Sequence, residues 1–345
     1  MRITAAVLLA TTLSAQPSTD PPAPGKLIDI GGRRLHLYCT GTGPQTVIIE
    51  NGGGAFSIDW SLVQPDVSKF ARVCTYDRAG YAWSDPGPAP DMVGQIADDL
   101  RLLLRTARLS PPYILVGASI GGFYARAYQR RFPDEVSGMV MVDGTTEEGL
   151  AWTVNGQTKP AYAMTREDMN TAMAELLAKP APPAPSEASA IEEPFNRLPK
   201  NVQAVRAWAV KLGVPHGTFR PSIGAASEAT REEFVAQRTI RLSGEHPFGA
   251  LPLIVVTRGR NTNPTRIQQH REVANLSSLG KLVVADNSGH EIHLYRPDVV
   301  IQAIREIVLL AGRRSRRPVA GERAETAGSC AALSSDLLAA VERPS

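Results

Sequence analysis

A serine stands between glycines in Gly117-Ala118-Ser119-Ile120-Gly121, and a histidine, His290, closes the late run Asp286-Asn287-Ser288-Gly289. A hydroxyl becomes a nucleophile when an imidazole takes its proton, so this pair of residue types can attack an acyl carbon and form a covalent intermediate. The G-x-S-x-G spacing suits that chemistry, because a nucleophile on a sharp turn needs neighbours without a Cβ. The flanks agree: Tyr113 to Val116 is a short apolar run, and beyond Gly122 the residues Phe123, Tyr124, Ala127 and Tyr128 recur at helical spacing. The serine therefore falls at a strand-to-helix junction, where the Ile120 N–H, at the helix N-terminus, can stabilise an oxyanion. The plain alternative is a glycine-rich turn whose serine only caps the helix.

A second oxyanion donor is expected from the loop after an earlier strand. Thr46 to Glu50 reads as that strand and Asn51-Gly52-Gly53-Gly54 follows it, so Gly53 is the expected donor, with Gly52 and Gly54 as register alternatives. Of six histidines, His290 follows the strand Lys281 to Ala285 and can swing over a sheet toward Ser119. His293, three residues on, is its nearest competitor. Two histidines at that spacing also raise the idea of a metal, but no carboxylate or cysteine set completes one, and the chemistry needs neither metal nor organic cofactor. His36, His216, His246 and His270 read as surface or packing residues.

Positioning these groups requires a sheet. Between residues 26 and 145, short β-rich runs (KLIDI, RRLHLYC, TVIIENGGG, RVCTYDRAG, YILVG, GMVMVDG) alternate with helical patterns, one of them near 91 to 108. That alternation predicts an α/β protein with a mostly parallel sheet covered on both faces, opened by a hairpin at the first two runs. From 146 to 248 strand signals stop, and KPAPPAPSEASAIEEP reads as a linker inside a helical insertion, best described as a cap. The α/β pattern resumes over 249–312 with LPLIVVTRG, KLVVADNSGH and a closing helix, and the arginine-rich 313–345 reads as a disordered tail.

With 345 residues, 43% of them hydrophobic, the chain can bury a large core, and a net charge of +3 gives no nucleic-acid footprint. Residues 1–25 place Arg2 before an apolar run, then Ser14, Ala15 and a proline-rich stretch, in the order of a signal peptide followed by a linker. The run is too short to span a bilayer, so a secreted or periplasmic protein without stable membrane insertion is expected, a cytoplasmic one being the alternative. Three cysteines are too few for a disulfide scaffold.

Strand, elbow, glycine loop and late histidine, in that order, resemble the α/β-hydrolase fold superfamily, over roughly residues 27 to 312. The segment Asp77-Arg78-Ala79-Gly80-Tyr81-Ala82-Trp83-Ser84 is similar to the D-R-x-G-x-x-x-S of its cap-bearing branch, where the ionic groups are expected to hold loops beside the site. Many relatives carry His-Gly where this chain has Asn51-Gly52. The usual acid follows the strand read here at Leu253 to Thr257, yet Arg258-Gly259-Arg260-Asn261-Thr262-Asn263 holds no carboxylate. A variation within the superfamily puts the acid one strand earlier, which implies Asp143; an Asn261-supported dyad, Glu147 and Glu148 are alternatives. The resemblance implies a serine hydrolase acting on a small-molecule acyl substrate, an ester or lactone first. Amidase, aminopeptidase or carbon–carbon bond hydrolase chemistry on the same site, and a non-catalytic binding member of the fold, stand beside it. Trp152, Tyr162, Met164, Met169, Met173 and Trp208 can line an acyl pocket or pack the cap. The resemblance also makes the strands of Cys39 and Cys74 sheet neighbours, within disulfide distance, leaving Cys330 single.

Overall fold

In a computed structural model, whose described residues are 20–87, 93–178, 186–213 and 228–315, alternate side chains of the central strands go to opposite faces of one sheet. The strands are β1 Lys26–Asp29, β2 Arg34–Thr40, β3 Thr46–Glu50, β4 Arg72–Tyr76, β5 Tyr113–Ala118, β6 Val136–Val142, β7 Ala151–Val154, β8 Gln157–Pro160, β9 Leu253–Arg258 and β10 Gly280–Ala285. Eight of them form a sheet in the order β1-β2-β4-β3-β5-β6-β9-β10, antiparallel at β1-β2-β4 and parallel from β4 onward. Val47 and Ile49, Ile114 and Val116, Val140 and Val142, and Ile254 and Val256 face one core, while Ile48, Leu115, Met139, Met141, Leu253 and Val255 face the other. A sheet buried on both faces has no polar phase in its strands, which is why these runs read as continuously apolar.

The helices are α1 Gln64–Val67, α2 Val93–Thr106, α3 Ile120–Arg131, α4 Arg166–Ala178, α5 Glu187–Ala190, α6 Lys200–Lys211, α7 Glu228–Leu242, α8 Pro264–Ala274, α9 Ile292–Tyr295 and α10 Pro297–Ser315. α2 buries Ala97, Leu100, Leu103 and Leu104 against one face, and α10 buries Val300, Ile304 and Ile307 against the other. α8 starts where Asn263 caps the Arg266 N–H at 2.8 Å and Pro264 presets the first turn.

The insertion is not wholly helical. It opens with the antiparallel hairpin β7–β8, turned by Asn155 and Gly156 at φ 50° and 75°. Asn-Gly tolerates the two positive φ angles of a tight hairpin turn, a signal that the segment's Pro- and Ala-rich composition obscures. The cap then docks through two helices. Ala209 and Val210 of α6 pack on Phe56, Ile58, Tyr81 and Ala82, and Phe234 of α7 stacks on Phe123 of α3 at 4.3 Å. Of the proline-rich stretch expected to be a linker, residues 179–185 lie outside the described residues, whereas 186–194 fold and include α5; residues 1–19 of the expected signal peptide and linker and 316–345 of the expected tail also lie outside them, and α10 continues through Ser315.

The segment just before β1 belongs to the folded body and is no free linker. Trp83 Nε1 donates to Pro21 O at 2.8 Å, Trp208 Nε1 to Asp20 Oδ1 at 3.0 Å, and His36 Nε2 bonds Pro24 O. His36 is not a surface residue: fully buried, it also meets Asp77 Oδ2 through Nδ1 at 2.7 Å. Among the described residues no helix is long and apolar enough to cross a membrane.

Cys39 and Cys74 face each other in the β2–β4 register and are joined as a disulfide. Thiol titration of the unfolded, unreduced protein should count one free thiol per chain, and three after reduction; three before reduction would mean that the bond does not form.

Candidate active site

Ser119 links β5 to α3 with φ 52° and ψ −126°, a conformation that non-glycine residues avoid. Its neighbours explain the glycines. A Cβ on Gly117 would stand 2.6 Å from Gly121 O, and one on Gly121 would run into the backbone of Glu50. The turn is held by its own carbonyl, which accepts from Gly122 N at 3.0 Å and Thr145 N at 2.8 Å.

Ala118 and Val142 are register partners at the ends of β5 and β6, so the next residues, Ser119 and Asp143, leave the sheet side by side. Asp143 also has positive φ, 43°, and its N–H remains tied to Val256 O at 2.7 Å. From the loop after β10, His290 reaches both. Its Nε2 lies 2.9 Å from Ser119 Oγ and its Nδ1 2.5 Å from Asp143 Oδ2. Asp143 is fully buried, accepts from the Arg258 N–H at 3.3 Å, and has Arg258 Nε at 3.6 Å and Arg266 Nη1 at 3.7 Å. Burial pushes its carboxyl upward, but the His290 hydrogen bond and charge, with His270 and Arg266, hold it below the usual carboxylate range. Burial also opposes a charged His290, yet the Asp143 hydrogen bond and the charges of Glu291 and Asp143 raise the imidazole above its ordinary 6.5.

The glycine loop faces this chain of bonds. A Cβ on Gly52 would sit 3.3 Å from Ser119 Cβ, and one on Gly53 would sit 3.7 Å from Ile120 Cγ2. Among the described residues, neither the Gly53 nor the Ile120 N–H donates to a protein acceptor. Arg78 sets the direction of the loop's peptides. Buried between the Tyr81 and Tyr124 rings, it donates to Glu50 Oε1 at 2.7 Å and to the carbonyls of Asn51 and Gly52 at 2.6 Å each. A trans peptide points its N–H opposite its C=O, so the Gly52 carbonyl on Arg78 turns the Gly53 N–H away from that guanidinium. Asn51 fastens the loop to the core, giving Nδ2 to Tyr76 O at 2.7 Å and taking Trp60 Nε1 at 2.8 Å.

Other candidates go elsewhere. Asn261, at φ 50°, makes no hydrogen bond to His290 among the described residues. Glu147 takes Arg126 of α3 and Arg241 of α7, each at 2.7 Å, and Glu148 takes Arg241 and Arg238. His293 stacks on Trp60 at 4.6 Å, fully buried, with both ring nitrogens unpartnered, and burial lowers it to about 3. His270 donates Nε2–H to Gly144 O at 2.9 Å, His246 is exposed, and His216 lies outside the described residues. Met164 and Met169 pack on Val154 and Ala172, and Trp208 packs on Trp83; the side chain of Met173 is not described. Trp152 and Tyr162 join Leu150, Ile120 and Tyr124 in a half-buried apolar group at the start of α3. Sequence reasoning passed over Arg206 of α6, whose partner Asp59 lies 147 residues earlier, because no local pattern marks such a pairing. No group of three or more His, Cys, Asp or Glu suited to a metal occurs among the described residues.

A model of the alpha/beta hydrolase fold matches residues 45–297, and the chain belongs to that family. Among curated proteins, a probable transporter, efuK, of Hormonema carpetanum is 37% identical over 129 residues; the match covers 35% of this chain but only 18% of that longer protein. Among solved structures, an esterase from Thermogutta terrifontis has TM-score 0.58 and 20% identity, covering 81% of this chain and 94% of its own. Est816, an N-acyl homoserine lactone degrading enzyme, has TM-score 0.56 and 18% identity, covering 81% and 99%.

His293 makes the stability of the fold sensitive to acid. Unfolded, it binds a proton near pH 6.5, and folded only near 3, so its contribution to stability is complete above 6.5 and is lost as pH falls toward 3. His293→Leu should therefore narrow the gap in Tm between pH 7.5 and pH 5 in thermal melts; an unchanged gap would contradict the buried neutral ring.

Proposed function

We propose that the protein is a serine hydrolase that cleaves a small-molecule ester or lactone. The observation that carries this reading is the unbroken chain Ser119 Oγ, His290 and Asp143, at 2.9 and 2.5 Å, mounted on a strained strand-to-helix turn. His290 takes the Ser119 proton as Oγ attacks the acyl carbon, then gives that proton to the departing alcohol oxygen. Water, deprotonated by the same imidazole, releases the acid from the acyl-enzyme. Asp143 keeps the proton on Nδ1 and balances the imidazolium, and the Gly53 and Ile120 N–H groups receive the oxyanion, each worth roughly 3 kcal/mol in such sites. Esters and lactones come first because the Thermogutta esterase and Est816 share the fold. The half-buried apolar group of Leu150, Trp152, Tyr162 and Ile120 suits an apolar acyl chain. Export to an oxidising compartment is part of the same reading and is supported by the Cys39–Cys74 disulfide.

Treatment with a fluorophosphonate should add one adduct by intact mass, absent in Ser119→Ala. With a p-nitrophenyl ester, Asp143→Asn should lower kcat by about 10³-fold or more. His290 must be neutral to act as base, so kcat/KM should fall as pH drops through a value above 6.5, and Asp143→Asn should move that limb to lower pH. Folded protein that takes no adduct would point to a non-catalytic binding member of the fold.

A further inference from the structure

The oxyanion loop has little structure of its own. Residues 51–55 contain three consecutive glycines and one long internal bond, Ala55 N to Gly52 O at 3.5 Å, so their shape is imposed from outside. Four of the supports belong to the core: Arg78 on the Asn51 and Gly52 carbonyls, Trp60 and the Tyr76 carbonyl on the Asn51 side chain, and Asp59, whose Oδ2 takes the Phe56 N–H at 2.9 Å. The fifth comes from the cap. Arg206 of α6 donates Nη1 to that same Asp59 Oδ2 at 2.5 Å and Nε to Ala190 O at 2.9 Å. Its guanidinium lies 3.4 Å from the centre of the Phe195 ring and 5.5 Å from that of Phe56.

We propose that Arg206 is a positioning residue: by gripping Asp59 from the cap, it makes the seating of α6 and the shape of the oxyanion loop a single event. This rests on the reading of 51–55 as the oxyanion loop. Both partners are buried, and a buried ion pair is a poor way to gain stability, since apolar residues of similar size usually do as well. What the pair supplies is a fixed geometry: one carboxylate oxygen shared between the chain leaving the glycine loop and a helix of the cap. A second attachment of the same helix avoids the loop altogether, running from Trp208 to Asp20 and Trp83. The two tethers therefore separate loop positioning from general cap anchoring.

The test compares the full chain with Arg206→Met, Arg206→Lys and Trp208→Phe. Amide hydrogen exchange of a peptide spanning 51–56 is read beside the phosphonylation rate and the kcat and KM for p-nitrophenyl acetate. Arg206→Met should speed exchange at 51–56 at least about fivefold and slow phosphonylation by about 10- to 100-fold, somewhat less than the roughly 10²- to 10³-fold of an oxyanion donor removed outright, with the loss in kcat and KM nearly unchanged. Arg206→Lys, which keeps the charge on Asp59, should recover part of both effects, and it carries the test if the methionine variant fails to fold. Trp208→Phe should leave both readouts within about twofold even where it lowers Tm. Wild-type exchange and reactivity in Arg206→Met, or equal loosening of 51–56 by Trp208→Phe, would overturn the proposal. If the wild type takes no phosphonate, the serine hydrolase reading fails, while the exchange arm still decides whether Arg206 holds the loop.

Discussion

Everything around Ser119 serves to keep one residue in a backbone conformation it would leave if free. A left-handed φ on a residue with a side chain costs of order 1–3 kcal/mol and persists only where its surroundings over-determine it. Here the surroundings are specific. β5 delivers the chain and α3 carries it away, Gly117 and Gly121 let the two cross at van der Waals contact, and Thr145 and Gly122 hold the Ser119 carbonyl. Two apolar layers clamp β5 from both faces, so the stability of the whole sheet is what sustains the turn.

Around that core, charge is handled by sharing. Arg78 serves Glu50 and two loop carbonyls, Glu147 serves Arg126 and Arg241, and Asp59 serves a backbone N–H and Arg206. Each buried ion is met by several partners, and each set crosses a boundary between loop and sheet or between cap and core. Removing one member would strand the others without water, so these sets act as connectors whose parts cannot be exchanged singly.

The sheet was legible in the sequence because strands buried on both faces are continuously apolar, and the turn at Ser119 was legible because close packing leaves only glycine at Gly117 and Gly121. Asp143 was harder: a strand-ending aspartate has no signature of its own, and resemblance to a family supplied what spacing did not. The hairpin at Asn155-Gly156 was visible in principle and hidden in practice by the proline-rich composition of its neighbourhood. The cap's attachments were not legible at all, since Arg206 and Asp59, or Arg241 and Glu147, are paired by the path of the chain through space. For a related reason the sequence left His36 open between surface and packing: its burial depends on residues 20–25 folding back over it.

Ser119 and Asp143 each follow the last residue of adjacent, hydrogen-bonded strands, with Ala118 opposite Val142. Their spacing is thus set by the ladder of a parallel sheet, about 4.8 Å between chains, and by no loop. His290 alone arrives on a loop, after β10 at the sheet's edge. Mechanically this is two fixed posts and one hinged arm: with the sheet intact the backbones of Ser119 and Asp143 hold their spacing, and the loop that carries the imidazole is the part whose motion would open or close the proposed proton path.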